Sequence, residues 1–338
     1  MSDIRIFSSN KILKHLDRVL PWLKGENVYP ITFEIDLTNR CNNRCPGCIG
    51  GRTNAEDLKD PFLILDQLAK AKVKAVTFTG GGEPLLYPKV LESVKYAKKL
   101  GLDVGFITNG LALTKSACEV ILDNCVWIRI SLDASNPEEY LLTHGMGGTT
   151  FKKVEENIAL LTQTKKEKKS SCTIGVGYLT NKRLMKGMLP ATEFCKKVEV
   201  DYIQFRPFHW DMTPIDEQLK KCQKLETKEF LVLYSKHKYD SMKETDLGRN
   251  YKVCYGHQFA SVLCANGDMT VCCHTRGDKK FVLGNIYKNT IEEIWNSDQR
   301  KKAIAYIDLE KCIPFCRCDT FNQVLWNLKQ PTEHENFL

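Results

Sequence analysis

Long apolar runs are missing from this chain. Nothing in its 338 residues approaches the ~20 consecutive apolar residues that span a bilayer. The segment from Met1 to Asn10 has no basic flank followed by an apolar core, so no secretory signal is visible. A cytoplasmic location is expected. The basic run TKKEKKS at 164–170 contains neither arginine nor an aromatic residue. A nucleic-acid patch would interleave them, so this run reads as a solvated loop, and no nucleic acid is expected as a partner. The formal charge of +8 is compatible with an anionic substrate. Low-complexity tracts are absent too, which argues against long disordered segments.

Cysteine, by contrast, is abundant, with 15 residues. In a reducing compartment clustered cysteines bind metal or do chemistry rather than form a disulfide framework. Cys118, Cys125, Cys172, Cys195 and Cys222 lie scattered in apolar or helical contexts. Free cysteine packs as a small hydrophobe, and these read as core positions. The others fall into two sets, one near 41–48 and one from Cys254 onward.

Between the two sets, strands alternate with helices. ITFEIDL (31–37), AVTFT (75–79), DVGFI (103–107), VWIRISL (126–132), CTIGVGY (172–178) and DYIQF (201–205) read as strands apolar enough to be buried on both faces. Amphipathic helical segments separate them, which implies parallel βαβ units. The expected fold is α/β, a partial (β/α)6 TIM-like barrel followed by a small cysteine-rich α+β domain. The expected boundaries are an N-terminal helical extension (1–29), the barrel (30–207), a helical linker without strands (208–250), the cysteine-rich domain (251–328) and a tail (329–338). NKILKHLDRVLPWLKG reads as one amphipathic helix over the barrel. VLCANGDMTVCC reads as a hairpin with positive φ at Asn266 and Gly267. Thr290 and Glu293 form a capping box, and Asp319 is the expected cap of a terminal helix.

Cys41, Cys45 and Cys48 share one loop after the first strand, among the turn-formers Asn42, Asn43, Pro46 and Gly47. A structural zinc takes four closed ligands. Three thiolates without a fourth suit a 4Fe–4S cluster with one iron left open, since such clusters are held by cysteine. The second strand then ends in TGGGEPLLYP, where glycines let backbone carbonyls approach a ligand closely.

These residues together resemble the radical S-adenosylmethionine (SAM) enzymes. The resemblance covers 32 to about 207 and implies a SAM-binding 4Fe–4S cluster on Cys41, Cys45 and Cys48. Gly81, Gly82, Glu83 and Pro84 match the family's GGEP motif, which binds the methionine amino group. Thr108 and Asn109 in FITNG, and Ser131 and Asp133 in RISLDA, match segments that face SAM. GVGYL occupies the position near the adenine. As the family works, the reduced cluster cleaves SAM and a 5′-deoxyadenosyl radical abstracts hydrogen from the substrate. A reducing protein such as flavodoxin or ferredoxin is implied.

The second set resembles the SPASM and twitch extensions of that superfamily, which hold auxiliary 4Fe–4S clusters. Cys254, Gly267 and Cys272 match their opening pattern, and Cys312 with Cys316 are the expected closing pair. The twitch form, with one auxiliary cluster, is expected, because the longer SPASM cysteine run is incomplete. Cys264, Cys273 and Cys318 are left over, as buried residues or as a hydrogen-atom donor. After the sixth strand, Arg206 and His209 are candidate catalytic residues, with Tyr178 on the fifth. Asp211 is a further proton-transfer candidate. About 30 residues precede the first strand, too few for a separate peptide-recognition domain. A small-molecule substrate is therefore expected, for oxidation, epimerisation, decarboxylation or rearrangement. The alternatives are a peptide-modifying enzyme and a non-enzymatic iron–sulfur or zinc protein. The GGEP match opposes the last of these.

Overall fold

The computed structural model describes residues 8–50, 55–208, 211, 213–241, 249–313, 316–331, 333–334 and 336–337. All six expected strands form: β1 (Thr32–Asp36), β2 (Ala75–Thr79), β3 (Asp103–Thr108), β4 (Trp127–Ser131), β5 (Thr173–Thr180) and β6 (Tyr202–Pro207). Each pairs in parallel with the next. A short helix α1 (Leu16–Leu23) precedes them. The crossovers are α2 (Pro61–Lys70), α3 (Val90–Lys99), α4 (Lys115–Asn124), α5 (Pro137–His144), α6 (Gly148–Lys168) and α7 (Met188–Lys197).

The strand period of two sorts the faces. On β4, Ile128 and Ile130 are fully buried, while Trp127, Arg129 and Ser131 face the other way and are half-buried. Val76 and Phe78 on β2 do the same opposite Thr77 and Thr79. The buried set packs against the helices and the second set lines the concave lumen. Small residues make room there. A β-carbon at Gly105 would overlap the Trp127 ring, and one at Gly175 would overlap Tyr202.

Three regions depart from expectation. The linker contains a strand. After α8 (Asp216–Gln223), β7 (Leu231–Tyr234) pairs in parallel with β6 and is followed by α9 (Lys236–Ser241). Its four-residue apolar run is short, and the charged residues around it hide the signal. The cysteine-rich region also joins the barrel sheet. Its strands β8 (Ala260–Leu263), β9 (Asp268–Thr270) and β10 (Val282–Asn285) extend the β1 edge, with β8 parallel to β1. The result is one ten-stranded sheet, ordered β10-β9-β8-β1-β2-β3-β4-β5-β6-β7, with β10 and β7 at its edges. Finally, the N-terminal helix is broken. A 3-10 turn (Ser9–Lys14) ends at His15, whose φ of −110° and ψ of 54° are not helical, before α1 starts. Val19 and Trp22 of α1 pack on Phe259 and Leu325.

Smaller differences follow the same logic. Only Gly267 has positive φ in the hairpin turn, at 86°. Its N–H bonds to the Cys264 carbonyl at 2.9 Å, so the loop is a turn closed by a left-handed glycine. The lysine run is not a loop but the last turn of α6, where cations suit the helix dipole. Lys165 there pairs with Asp201 at 2.5 Å. The Thr290–Glu293 capping box opens α10 (Ile291–Asn296), which leads to α11 (Asp298–Ala305). The last helix, α12 (Asp319–Asn327), begins at Asp319 itself, with Cys318 at the cap position. Among the described residues, no helix is long and apolar enough to cross a membrane.

Candidate active site

The Cys41–Cys48 loop is strung across the C-terminal mouth of the strands, held from the ends of β2, β3, β4 and β6. At β2, the Glu83 N–H donates to the Arg40 carbonyl at 2.8 Å. At β3, Asn109 Nδ2 donates to Asn42 Oδ1 at 2.7 Å and approaches Cys41 Sγ at 3.9 Å. Beyond β4, Asn43 Nδ2 donates to the Tyr140 hydroxyl at 3.3 Å, and the Arg44 N–H donates to the His144 carbonyl at 2.8 Å. Beyond β6, Phe208 lies against Gly47, 2.5 Å from where a β-carbon would stand.

The glycine motif packs against the same loop. A β-carbon on Gly82 would overlap the Arg40 carbonyl oxygen, and one on Gly81 would overlap the Asn39 amide. Glu83 is 2% exposed. Its carboxylate accepts from Thr108 Oγ1 at 2.7 Å, Asn109 N at 2.8 Å and Leu85 N at 3.1 Å. Burial nevertheless raises its pKa above the ordinary carboxylate value. All three bonds are made to the protein's own groups, so Glu83 is a strut between the ends of β2 and β3.

The three thiols lie close enough for their charges to act on one another. Burial, then Cys48 and Cys41, push the Cys45 thiol up to about 12. Cys41 Sγ accepts from the Asn43 N–H at 3.4 Å. Among the described residues, no three Cys, His, Asp or Glu side chains converge as ligands of a single ion would. Metal loading must expel the thiol protons.

The second cysteine set is gathered by polar clasps. Asn322 Oδ1 accepts from Tyr255 N at 2.5 Å and Gly256 N at 2.9 Å, and its Nδ2 donates to the Val253 carbonyl at 3.0 Å. That fixes the turn bearing Cys254. Arg249 donates to the carbonyls of Leu309, Cys312 and Ile313, fixing the loop of Cys312. Cys254, Cys272, Cys312 and Cys316 act on one another electrostatically. Burial pushes Cys254 up to about 12 and Cys312 up to about 11. Cys318, one of the leftover residues, is also here. Its N–H donates to Cys316 Sγ at 3.3 Å. Cys273 is buried beside Cys272, whose charge acts on it, and Cys264 lies apart. Cys264 lines a cavity of about 280 Å³ with Asn39, Gly81 and Arg276.

Two arginines dock this region onto β1. Arg276 reaches Asp36 at 2.7 and 2.9 Å and Glu34 at 3.0 Å, and Arg317 also pairs with Glu34. Burial pushes Glu34 up, but Arg317 and Arg276 outweigh it and hold the carboxyl below its ordinary value. For Asp36, burial wins and the pKa is raised.

The remaining candidates separate. Asp133 has a φ of 47° and accepts from Leu179 N at 2.7 Å. The Ser131 carbonyl meets His144 Nε2 at 3.2 Å. Arg206 is half-buried on the lumen face of β6. Its guanidinium lies over Gly177, with Nη2 at 2.9 Å from a β-carbon position there. Tyr178 is turned the other way. It is fully buried on the helix side, where its hydroxyl donates to the Leu184 carbonyl at 2.9 Å and contacts Glu139 at 3.2 Å. It does not reach the lumen, because β5 presents Gly177 and Leu179 there instead. Asp211 accepts from Thr213 N at 2.9 Å. His209 lies outside the described residues. Arg129, beside Arg206, was not singled out from sequence; the signal was a cation set between isoleucines in WIRIS.

Two family models match the chain in the places this geometry marks. The radical SAM superfamily model covers residues 35–186, and an iron–sulfur cluster-binding (SPASM) domain model covers 254–319. The chain belongs to the radical SAM superfamily. It is an enzyme of that superfamily with a C-terminal SPASM domain, and the two cysteine sets fall within the two matched regions. Its cofactors are SAM, the SAM-binding 4Fe–4S cluster and auxiliary iron–sulfur chemistry in the SPASM domain. A Methanococcus maripaludis protein named "Probable GTP 3',8-cyclase" is 28% identical over 313 residues, covering 85% of this chain and 96% of that one. The Pyrococcus furiosus "Tungsten-containing aldehyde ferredoxin oxidoreductase cofactor-modifying protein" is 26% identical over 301 residues, covering 78% and 80%. In structure, Streptococcus suis SuiB superposes with a TM-score of 0.69 at 13% identity, covering 94% of this chain and 76% of that one. That likeness establishes the fold.

Proposed function

We propose that this radical SAM enzyme abstracts hydrogen from a small molecule held in the lumen beneath the Cys41–Cys48 loop. The observation that carries the reading is the shape and polarity of that lumen. Trp127 and Tyr202 lie across Gly105 and Gly175 on this face. Arg129, level with Tyr202, and then Gln204 and Arg206, one and two pleats nearer the loop, give it a polar wall. Phe208 against Gly47 narrows the mouth. Bulky rings toward the strand starts and a loop across the strand ends leave room for a compact substrate better than for a polypeptide. Relatives named for nucleotide and cofactor chemistry, aligned over most of their length, support the same choice.

Cys41, Cys45 and Cys48 would hold the SAM-binding cluster, with Asn43 N and Asn109 Nδ2 directed at Cys41 Sγ. When bound, cluster and SAM supply one-electron cleavage and a hydrogen-abstracting 5′-deoxyadenosyl group. The chain's own residues position and shield. Glu83 locks the glycine motif so that its backbone faces the methionine end. Asp133, pinned by Leu179 N, and Ser131 stand at the β4 end beside it. Cys254, Cys272, Cys316 and either Cys312 or Cys318 would hold the auxiliary cluster. A flavodoxin- or ferredoxin-type reductant would supply the electron. The test is substrate-stimulated release of 5′-deoxyadenosine by the reduced holoenzyme. A low-molecular-mass cell filtrate should accelerate it. Acceleration by the peptide fraction alone would contradict the small-molecule reading.

A further inference from the structure

Arg129 and Arg206 reach the lumen from strands on either side of β5, and both lie over Gly177. A β-carbon at Gly177 would stand 2.9 Å from Arg206 Nη2 and 3.6 Å from Arg129 Cδ. The absent side chain is what allows the two guanidiniums to meet. The Nε atoms of both are buried and make no hydrogen bond among the described residues, and the same holds for Gln204 Oε1 on the same face. Gln204 is 4% exposed.

The acids of this space are committed elsewhere. Glu34 and Asp36 are taken by Arg276 and Arg317. Asp133 accepts from Leu179 N, and Glu83 from Thr108, Asn109 and Leu85. Glu34 and Asp133 act on Arg129 only from beyond ion-pair distance. A third cation, Lys238 of α9, lies near Arg206. Two like charges held together on a half-buried wall repel unless an anion sits between them.

We propose that Arg129 and Arg206 form an oxyanion subsite that holds a carboxylate or phosphate group of the substrate. This rests on the small-molecule reading above and names the chemistry that reading leaves open. Guanidiniums meet such groups with two parallel N–H donors, and the bare Gly177 backbone leaves space for the anion beside them. The guanidiniums meet over Gly177, which pairs with Ser131 of β4 and Gln204 of β6, so the subsite stands level with the end of β4. Arg129 reaches it from one pleat before Ser131, about 7 Å back along the strand, and Arg206 from the next pair beyond, opposite Leu179. The carboxylate of SAM is the competing occupant, and the SAM titration separates the two.

The experiment uses the reconstituted full chain, with pyrophosphate, malonate and SAM as separate titrants followed by calorimetry and thermal melting. At least one of the two oxyanions should bind and raise the melting temperature. Arg129→Met and Arg206→Met should each weaken that anion by about tenfold or more. SAM affinity should change far less than anion affinity. Without anion, each variant should melt no lower than the parent, because a repulsion has been removed. Preference for pyrophosphate assigns a phosphoryl-bearing substrate, and preference for malonate a carboxylate-bearing one. The proposal is overturned if neither anion binds, if SAM affinity falls in step with anion affinity, or if the anion-free variants melt lower as a broken ion pair would. Release of 5′-deoxyadenosine by the parent protein is measured in the same samples. Its absence defeats the functional reading, whereas its presence without anion binding defeats only the subsite.

Discussion

Replacing Glu83 separates a strut from a ligand-binding charge. In Glu83→Gln, one carboxylate oxygen becomes an NH2 group. Oε2 faces the Asn109 N–H at 2.8 Å, and Oε1 faces the Leu85 N–H at 3.1 Å and the Thr108 hydroxyl at 2.7 Å. Whichever way the amide points, it sets a donor against a backbone donor. A buried donor left without an acceptor costs about 1–3 kcal/mol. Release of the buried charge offsets part of that, because burial already raises the pKa of this carboxyl. Glu83→Gln should therefore lose about 1–2 kcal/mol of stability. Glu83→Ala strips all three bonds and should lose about 3–6 kcal/mol, water entry setting the lower end. Anaerobic urea denaturation followed by circular dichroism reads both values, with SAM affinity measured on the folded fraction. A Glu83→Gln protein as stable as the parent, yet unable to bind SAM, would refute the strut and make the carboxylate a direct ligand.

Other perturbations follow from the same contacts. Arg276→Met leaves Asp36 and Glu34 short of a partner in a buried setting, so urea unfolding should show a loss of about 3–5 kcal/mol; a neutral result would mean the arginine does not dock the C-terminal region. Gly82→Ala drives a methyl into the Arg40 carbonyl and should displace the cysteine loop, lowering iron retention at the first site; full iron content with normal SAM cleavage would contradict that packing. Two Cys-held 4Fe–4S clusters would give about eight irons and eight sulfides per chain, and four irons with one zinc would remove the auxiliary cluster. Cys254→Ala should abolish product while leaving slow 5′-deoxyadenosine release, because the first cysteine loop is untouched, and full turnover without the second cluster would show that product formation does not need it.

The barrel was legible because strands buried on both faces, such as AVTFT and CTIGVGY, read as continuous apolar runs. The cysteine loop and glycine motif were legible because their spacing is local. What escaped depended on partners distant in sequence. β7 is four residues long and gains its place only by pairing with β6. The β8–β9 hairpin was expected to stand apart, yet Phe33 of β1 pairs with Ser261 of β8. Cys318 looked idle beside Cys316, but Asn322 and the Cys254 turn bring the sulfurs together across more than sixty residues of chain. Tyr178 was a reasonable candidate by composition, and strand parity turned it toward the helices. Arg129 and Arg206 are 77 residues apart in the sequence (206 − 129), and only the bare backbone of Gly177 shows that they meet.

The most direct test of the account is reductive SAM cleavage by the first cysteine loop. Anaerobically reconstituted protein, reduced with dithionite and given SAM, should release 5′-deoxyadenosine, detected by mass spectrometry. The Cys41→Ala, Cys45→Ala, Cys48→Ala triple variant should keep its circular dichroism spectrum, because Cys41 and Cys48 are exposed and none of the three lies in the hydrophobic core. It should release none. Release of 5′-deoxyadenosine by the folded triple variant, or none from the loaded parent, would contradict the account.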